Sequence, residues 1–452
     1  MSHACAPPAA RGPAPVLPVV AVIALLAVPV APDGEGGATP ADAASGVLVL
    51  WCAVRLLLHR RRPLSPTAAV VLGLPVAGFA VAAAVTAVPG AAVTGFVRCV
   101  QVFVLVPAAV LLLVRDRRDV RLLAWAVVGL ALWQGAVGVH QYATGTGASY
   151  MGREIRAVGT FGPGDVMAMA SVVALGLVCA VGLALGSAPV RGEHLPARAE
   201  PGARGRVWAV VCALLLVVPL ALSFSRGAWI ATALACGAQL VLAGMRRAVR
   251  AGAVVAAVAV VLVGGFGIGS ALLQERFSTI GRVADAPDRS VTDRYAMWAA
   301  AAGMWRERPL TGIGLKGFPE HRDGYASLAL SSGSDTEGAG AAYRKQPLLS
   351  PHNMYLLVLG EQGLVGLLAL AGSWLALLVL GLRRLVRTRR ARGPGLDCAL
   401  VACGLLVWHL ADFAYADIGG PTTVLTAVCF GLAAWWALAG DDPAASRKAA
   451  AR

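Results

Sequence analysis

The sequence predicts an all-α polytopic membrane protein of about 12 transmembrane helices, with one long, partly helical extracytoplasmic loop. Three observations carry this. Of 452 residues, 58% are hydrophobic and 14% charged, with mean hydropathy +0.71, whereas a soluble domain is near half apolar and a quarter charged. The apolar residues gather into stretches of bilayer length. The arginines gather between them, in alternate loops.

In chain order the spans are Val16–Ala31, Ala43–Leu58, Ala68–Val88, Val93–Val114, Val120–Tyr142, Val166–Leu185, Val207–Ser223, Ala228–Gly244, Ala251–Ile268, Met354–Leu382, Leu396–Leu410 and Thr422–Leu438. Many are rich in Ala, Gly and Val, and such small residues let helix backbones approach closely. Val16–Ala31 also fits a signal peptide with Arg11 as its n-region, a reading that removes one helix and leaves the orientation unchanged. The chain thus divides into spans one to nine (residues 1–270), the loop (271–351), spans ten to twelve (352–440) and a tail (441–452).

A net charge of +15 and a pI near 10.1 invite a nucleic-acid reading. The placement of the charge opposes it. "RLLLHRRRP", "RDRRDVR", the 191–206 loop, "RRAVR", "RRLVRTRRAR", the tail and Arg11 together hold 25 of the 39 basic residues. They occupy every second loop and both termini, as cytoplasmic segments do. Both ends are therefore expected in the cytoplasm, the chain in the cytoplasmic (inner) membrane, and no nucleic acid as a partner. All nine cysteines except Cys5 lie in or beside apolar spans without paired metal spacing, which disfavours a zinc site and a disulfide framework. No internal repeat is visible.

The loop from Ala271 to Pro351 is the longest outside segment, and a long loop with its own structure is usually functional. "RSVTDRYAMWAAAAGMWRERP" reads as an amphipathic helix beginning near Ser290 or Thr292. Ser290 and Asp293 have capping-box spacing, Tyr295, Trp298, Ala302 and Trp305 share a face, and Pro309 ends it. Such a helix is expected to lie on the outer bilayer surface or to dock across the helix mouths. Gly312, Gly314 and Gly317 satisfy G-x-G-x-x-G, but no strand before or helix after them is expected, so a tight turn is the better reading.

The ionisable residues expected on the outer side are Arg98, Arg153, Arg156, Arg226, Arg294 and His352. Singly, an arginine near a helix end can snorkel to headgroups and a histidine can cap a helix. Together they form a cationic set facing one leaflet, suited to a lipid-linked phosphate or pyrophosphate that arginine binds in bidentate fashion. An imidazole titrating near neutral pH can take a proton from an incoming hydroxyl. Glu361 lies roughly 13.5 Å deeper than His352 on a straight helix, so it is expected to be a buried brace to another span, with Arg98 as its partner. Asp412 and Asp417 read as isolated acids, and no metal or cofactor site is expected.

"PHNMYLLVLGEQGLVGLL", from Pro351, resembles the signature of the O-antigen ligase and O-antigen polymerase superfamily, approximately H-N-x-Y-L-x-x-L-x-E-x-G-x-x-G. His352, Asn353, Tyr355, Leu356, Leu359, Glu361, Gly363 and Gly366 match it. "SFSRGAWIA" resembles the family's S-R-G/T segment, and "DRYAMWAAAAGMWRERPLTGIGLKGF" its R-x-x-x-W and following P-x-x-G-x-G region. "VGTFGPGDVMA" resembles a G-T-F-x-N-P-N segment, with Gly162, Gly164 and Asp165 where asparagines are common. The resemblance spans roughly residues 150–415. It implies an inverting, metal-independent glycosyltransferase that passes a glycan from an undecaprenyl-pyrophosphate donor to an acceptor hydroxyl on the outer face. By position it gives pyrophosphate binding to Arg226 and Arg294 and acceptor activation to His352. Arg98, Arg153, Arg156, Asn353, Tyr355 and Glu361 are the further candidates for substrate contact.

Ligase and polymerase differ only in acceptor: glycan, lipid, protein or wall polymer. The Ala-, Gly- and Arg-rich composition suggests a GC-rich bacterial genome and favours acceptors other than lipid A-core. The alternative function is a transporter of a small anion such as bicarbonate. It should place polar groups and broken helices near the bilayer midplane. A structural membrane protein is the third reading, and it makes the histidine and arginines replaceable.

Overall fold

The computed structural model describes residues 15–30, 39–59, 64–86, 89–150, 153–186, 203–246, 249, 289–328, 330–331, 333–391 and 393–439. The expected span Ala251–Ile268, the first part of the long loop and the tail lie outside them. The chain is an all-α polytopic membrane protein. Its helices are α1 (Leu17–Leu25), α2 (Pro40–His59), α3 (Pro66–Ala84), α4 (Pro89–Leu113), α5 (Arg117–Thr144), α6 (Ala168–Leu185), α7 (Ala203–Leu222) and α8 (Arg226–Ala243). They continue with α9 (Arg289–Glu307), α10 (Phe318–Tyr325), α11 (Met354–Arg390), α12 (Leu396–Asp412) and α13 (Thr423–Leu438). A helix stands at eleven of the twelve expected spans. Among the described residues, eight helices are long and apolar enough to cross a membrane: α2 to α8 and α11.

The bundle closes around α6, α12 and α13, which are buried on nearly all sides. Small residues permit this. A Cβ on Gly176 would lie 2.2 Å from that of Ala131, and one on Gly431 2.5 Å from Val110. α7 presents Trp208, Leu214 and Leu215 outward instead, the pattern of a face turned to lipid.

The 37-residue α11 is not continuous. Gly363 has φ +62° and ψ −163°, which interrupts the helix and frees two pairs of backbone groups. The segment after α9 fills the gap. The N–H groups of Leu364 and Val365 donate to the carbonyls of Pro309 (2.9 Å) and Leu310 (3.1 Å), while the carbonyls of Gly360 and Glu361 accept from Ile313 (3.0 Å) and Gly314 (2.9 Å). Both interrupted i→i−4 bonds are thus replaced at each end. Unbonded backbone is very costly in a membrane, so "PLTGIG" and "GEQG" are two halves of one interlock.

The glycines follow from it. A Cβ on Gly363 would sit 2.4 Å from the carbonyl carbon of Leu310, one on Gly312 2.4 Å from that of Glu361, and one on Gly314 2.2 Å from the Thr86 hydroxyl. Gly366 lets α3 cross closely, since a Cβ on Gly78 would lie 2.8 Å from its Cα.

Two expectations for the loop are corrected. A short helix, α10, does follow Gly317, although no strand precedes the glycines. Asp293 forms no capping box; its buried carboxylate accepts from the backbone N–H (2.8 Å) and hydroxyl (2.6 Å) of Ser331. The buried face of α9 carries Ala296, Met297, Ala300, Ala301 and Met304, and Tyr295 is exposed. The long loop also holds strands. β1 (Ala148–Tyr150), β2 (Arg153–Arg156), β3 (Ser334–Gly338) and β4 (Ala341–Gln346) form an antiparallel sheet in the order β2-β1-β3-β4. It joins the connection after α5 to the connection before α11 at one end of the bundle.

Candidate functional site

The site is built on the first turn of α11. Asn353 caps it, accepting from the N–H of Leu356 (3.0 Å) and donating to the carbonyl of Ala414 (3.1 Å). The N–H of Met354 donates to the carbonyls of Phe413 (2.8 Å) and Ala416 (3.0 Å). The Tyr355 hydroxyl donates to the carbonyl of Leu410 (2.6 Å). These bonds hold the loop between α12 and α13 against the mouth of α11. Asn353 and Tyr355, expected to touch substrate, spend their polar atoms on this join.

His352 stands just outside the helix, half-buried, with φ +47°. A left-handed backbone is uncommon for a residue with a side chain. Here the capping bonds on Asn353 and Met354 hold it. Burial pushes the imidazole below its ordinary value of 6.5; the Asp417 carboxylate opposes this, and the Arg294 guanidinium reinforces it. The ring is therefore neutral at physiological pH and able to accept a proton.

Arg294 arrives from α9. One turn on, Trp298 donates its indole N–H to the carbonyl of Pro351 (2.8 Å), fastening α9 to the residue before His352. The charge of Arg294 acts on His352 and on Asp412.

Asp412 and Asp417, read above as isolated, are not. Asp417 also faces Asp165, which lies ahead of α6. Asp165 accepts from the N–H groups of Met167 (3.2 Å) and Ala168 (3.0 Å). Burial pushes its carboxyl up to about 6 against those two bonds, with Asp417 adding to the rise. A Cβ on Gly420 would lie 2.1 Å from Asp165 Oδ2, so glycine is required where the two loops meet. The "VGTFG" turn is pinned by α5: Gln141 bonds both the N–H and the carbonyl of Gly159, and Gln134 bonds the N–H and hydroxyl of Thr160.

Arg226 opens α8. Ser225 caps that helix by accepting from Ala228, and Phe224 before it has φ +51°. A Cβ on Gly227 would meet Tyr415 Cβ at 3.3 Å and Cγ at 3.7 Å, which brings the exposed Arg226 beside the loop that carries Asp417.

The remaining candidates lie elsewhere. Arg98 pairs with Asp42 in the first turn of α2, not with Glu361. Glu361 does bind another element: its carboxylate accepts from the N–H of Phe318 (3.2 Å) and caps α10. Arg153 and Arg156 lie on β2, opposite Tyr150 and Ala148.

Asp417 and Trp298 are the residues that sequence reading passed over. The signal for the first was an outside loop, "DFAYADIGG", with two acids where the neighbouring mouths carry cations.

Residues 211–371 match a family model described as O-Antigen ligase. The matched segment holds Arg226, Arg294, His352 and the α11 interlock, and it supports an O-antigen ligase/polymerase superfamily assignment. It supports a cell-surface polysaccharide glycosyltransferase-like role. No curated protein matches the chain.

Proposed function

We propose that this protein transfers a glycan from an undecaprenyl-pyrophosphate donor to an acceptor hydroxyl, by a single inverting displacement without a metal, at the outer face of the cytoplasmic membrane. Both termini are then cytoplasmic, as the alternating arginine loops favour. One observation carries the assignment. Of the polar side chains in the signature, Asn353, Tyr355 and Glu361 are consumed by architecture. The His352 imidazole makes no hydrogen bond among the described residues, and it sits beside Arg294 in a strained backbone.

In this reading Arg226 and Arg294 hold the diphosphate and neutralise the charge that develops as it leaves. The acceptor oxygen attacks the anomeric carbon on the face opposite the diphosphate. A new C–O bond forms as the old one breaks, the electron pair departs on the carrier pyrophosphate, and the hydroxyl proton goes to His352. Positioned base catalysis of this kind contributes roughly 10²–10⁴ in rate. The break in α11 is a feature a transporter would share. Its backbone groups are already satisfied by residues 309–314, which leaves none to bind a transported anion.

The test is transfer in vitro from a purified undecaprenyl-pyrophosphate oligosaccharide to free oligosaccharide, with and without EDTA. His352→Ala, Arg226→Ala and Arg294→Ala should each abolish product while the variants still insert in the membrane. Wild-type yield from His352→Ala refutes the base assignment, and loss of activity in EDTA refutes the metal-free mechanism.

A further inference from the structure

Among the described residues five buried side-chain polar atoms have no hydrogen-bond partner, and one of them belongs to the loop at the mouth of α11. Asp417 Oδ2 is enclosed and has no hydrogen-bond partner among the described residues. A carboxylate oxygen shut away from water without a donor is costly, and each such case asks for a reason. Its position is not accidental. Met354 and Asn353 bond to the carbonyls of Phe413, Ala414 and Ala416, so the residue after Ala416 and the residue before Asn353 are brought to the same point.

Resting on the reading of His352 as the base, we propose that Asp417 is its positioning residue: the carboxylate orients the imidazole and stabilises the imidazolium formed when the acceptor proton arrives. The tautomer of a catalytic histidine is set by the bond its second nitrogen makes, and Asp417 is the acid whose charge bears directly on His352. The other charged groups facing this pair are Arg294 from α9, Asp412 at the end of α12, Asp165 ahead of α6 and Glu361 within α11, with Arg226 beyond Tyr415. Arg294 opposes protonation of the ring and Asp417 favours it. The cation suits the resting enzyme, and the acid suits the moment of proton transfer. In the step itself one proton leaves the acceptor oxygen and one arrives at the imidazole.

The experiment compares Asp417→Asn, Asp417→Glu and His352→Ala in the full-length protein in lipid nanodiscs. Transfer from a synthetic undecaprenyl-pyrophosphate disaccharide to free oligosaccharide is followed over a range of about pH 5 to 9. In parallel, the pH dependence of His352 modification by diethylpyrocarbonate is read by peptide mass spectrometry, which needs no turnover. For Asp417→Asn we expect kcat to fall about tenfold or more with KM nearly unchanged. The midpoints of both the acid limb and His352 modification should move to lower pH, because a carboxylate that raised the imidazole is gone. Asp417→Glu should restore part of both. Wild-type kcat in Asp417→Asn overturns the proposal, as does a loss of kcat with both midpoints unmoved, the result of a purely structural role. The two readings fail separately. An active His352→Ala sinks the base assignment, whereas an inactive His352→Ala beside a wild-type-like Asp417→Asn sinks only this one.

Discussion

Trp298 holds Pro351 by a 2.8 Å hydrogen bond from its indole N–H to the carbonyl, one helical turn from Arg294 on the same side of α9. That bond sets the spacing between the guanidinium and the imidazole of the next residue, His352. Trp298→Phe keeps a ring and removes the donor. The expected outcome is a loss of about 1 kcal/mol in stability and a several-fold lower kcat/KM, measured by thermal unfolding in detergent and by transfer. An unchanged rate would show that the spacing is held by other contacts.

The interlock makes a sharper structural prediction. Gly363→Ala meets Leu310 at 2.4 Å in a left-handed backbone, so a destabilisation of at least about 2 kcal/mol is expected. Gly324→Ala is the control, because nothing lies within 4 Å of its Cβ position in α10; it should be neutral or stabilising by up to about 1 kcal/mol. Equal unfolding midpoints for the two variants would contradict the interlock.

Glu361 acts through an acceptor oxygen, and its charge is not needed for that bond. Glu361→Gln can still accept from Phe318 and is expected to fold with near-normal stability. Glu361→Ala orphans a buried N–H, at a cost of about 1–3 kcal/mol. If the glutamine variant is as unstable as the alanine variant, the carboxylate charge matters after all.

Asp165 should leave a mark on the pH dependence of stability. Its carboxyl is raised from 3.8 to about 6 in the folded chain, so the folded state holds the proton more tightly and gains relative stability as pH falls from about 6 towards 4. Asp165→Asn can still accept from Met167 and Ala168 and removes the titration. The variant should therefore be more stable than wild type at pH 7, with the gap closing on acidification. A gap that is constant between those pH values would rule this out.

His352 has the opposite sign, because its imidazole is lowered in the folded protein. The proton-accepting form persists below the ordinary midpoint of 6.5, so transfer should fall only at lower pH. An acid limb above 6.5 would show that the base sits in a different environment.

Hydropathy alone located the eleven helices that stand at expected spans, because lipid exposure demands long apolar runs whatever their neighbours are. The helix break was not legible. Gly363 in "GEQGLVGLL" looks like one more small packing residue, and its partner segment lies on the far side of α10 and the β3–β4 hairpin. The sheet escaped for a similar reason: "SDTEG" and "AAYRKQ" are short and polar, and their hairpin joins the sheet by pairing with the distant β1. The charge pairs were misread where they cross the bundle. Arg98 reaches Asp42 rather than Glu361, and the charge of Asp417 acts on His352 across a join of loops that no spacing rule encodes.

The paired backbone bonds around Gly363 have a mechanical consequence. They weld the helix carrying Arg294 to the one that His352 opens, and the loop with Asp417 is fastened to the same block through Met354. These three walls move together or not at all. α8 belongs to the same block, because the Gln239 side chain donates to the carbonyl of Leu400 (3.0 Å) and the Trp408 indole to the Thr232 hydroxyl (3.1 Å). Arg226, at the start of α8, is thereby anchored to the helix that leads into the Asp417 loop.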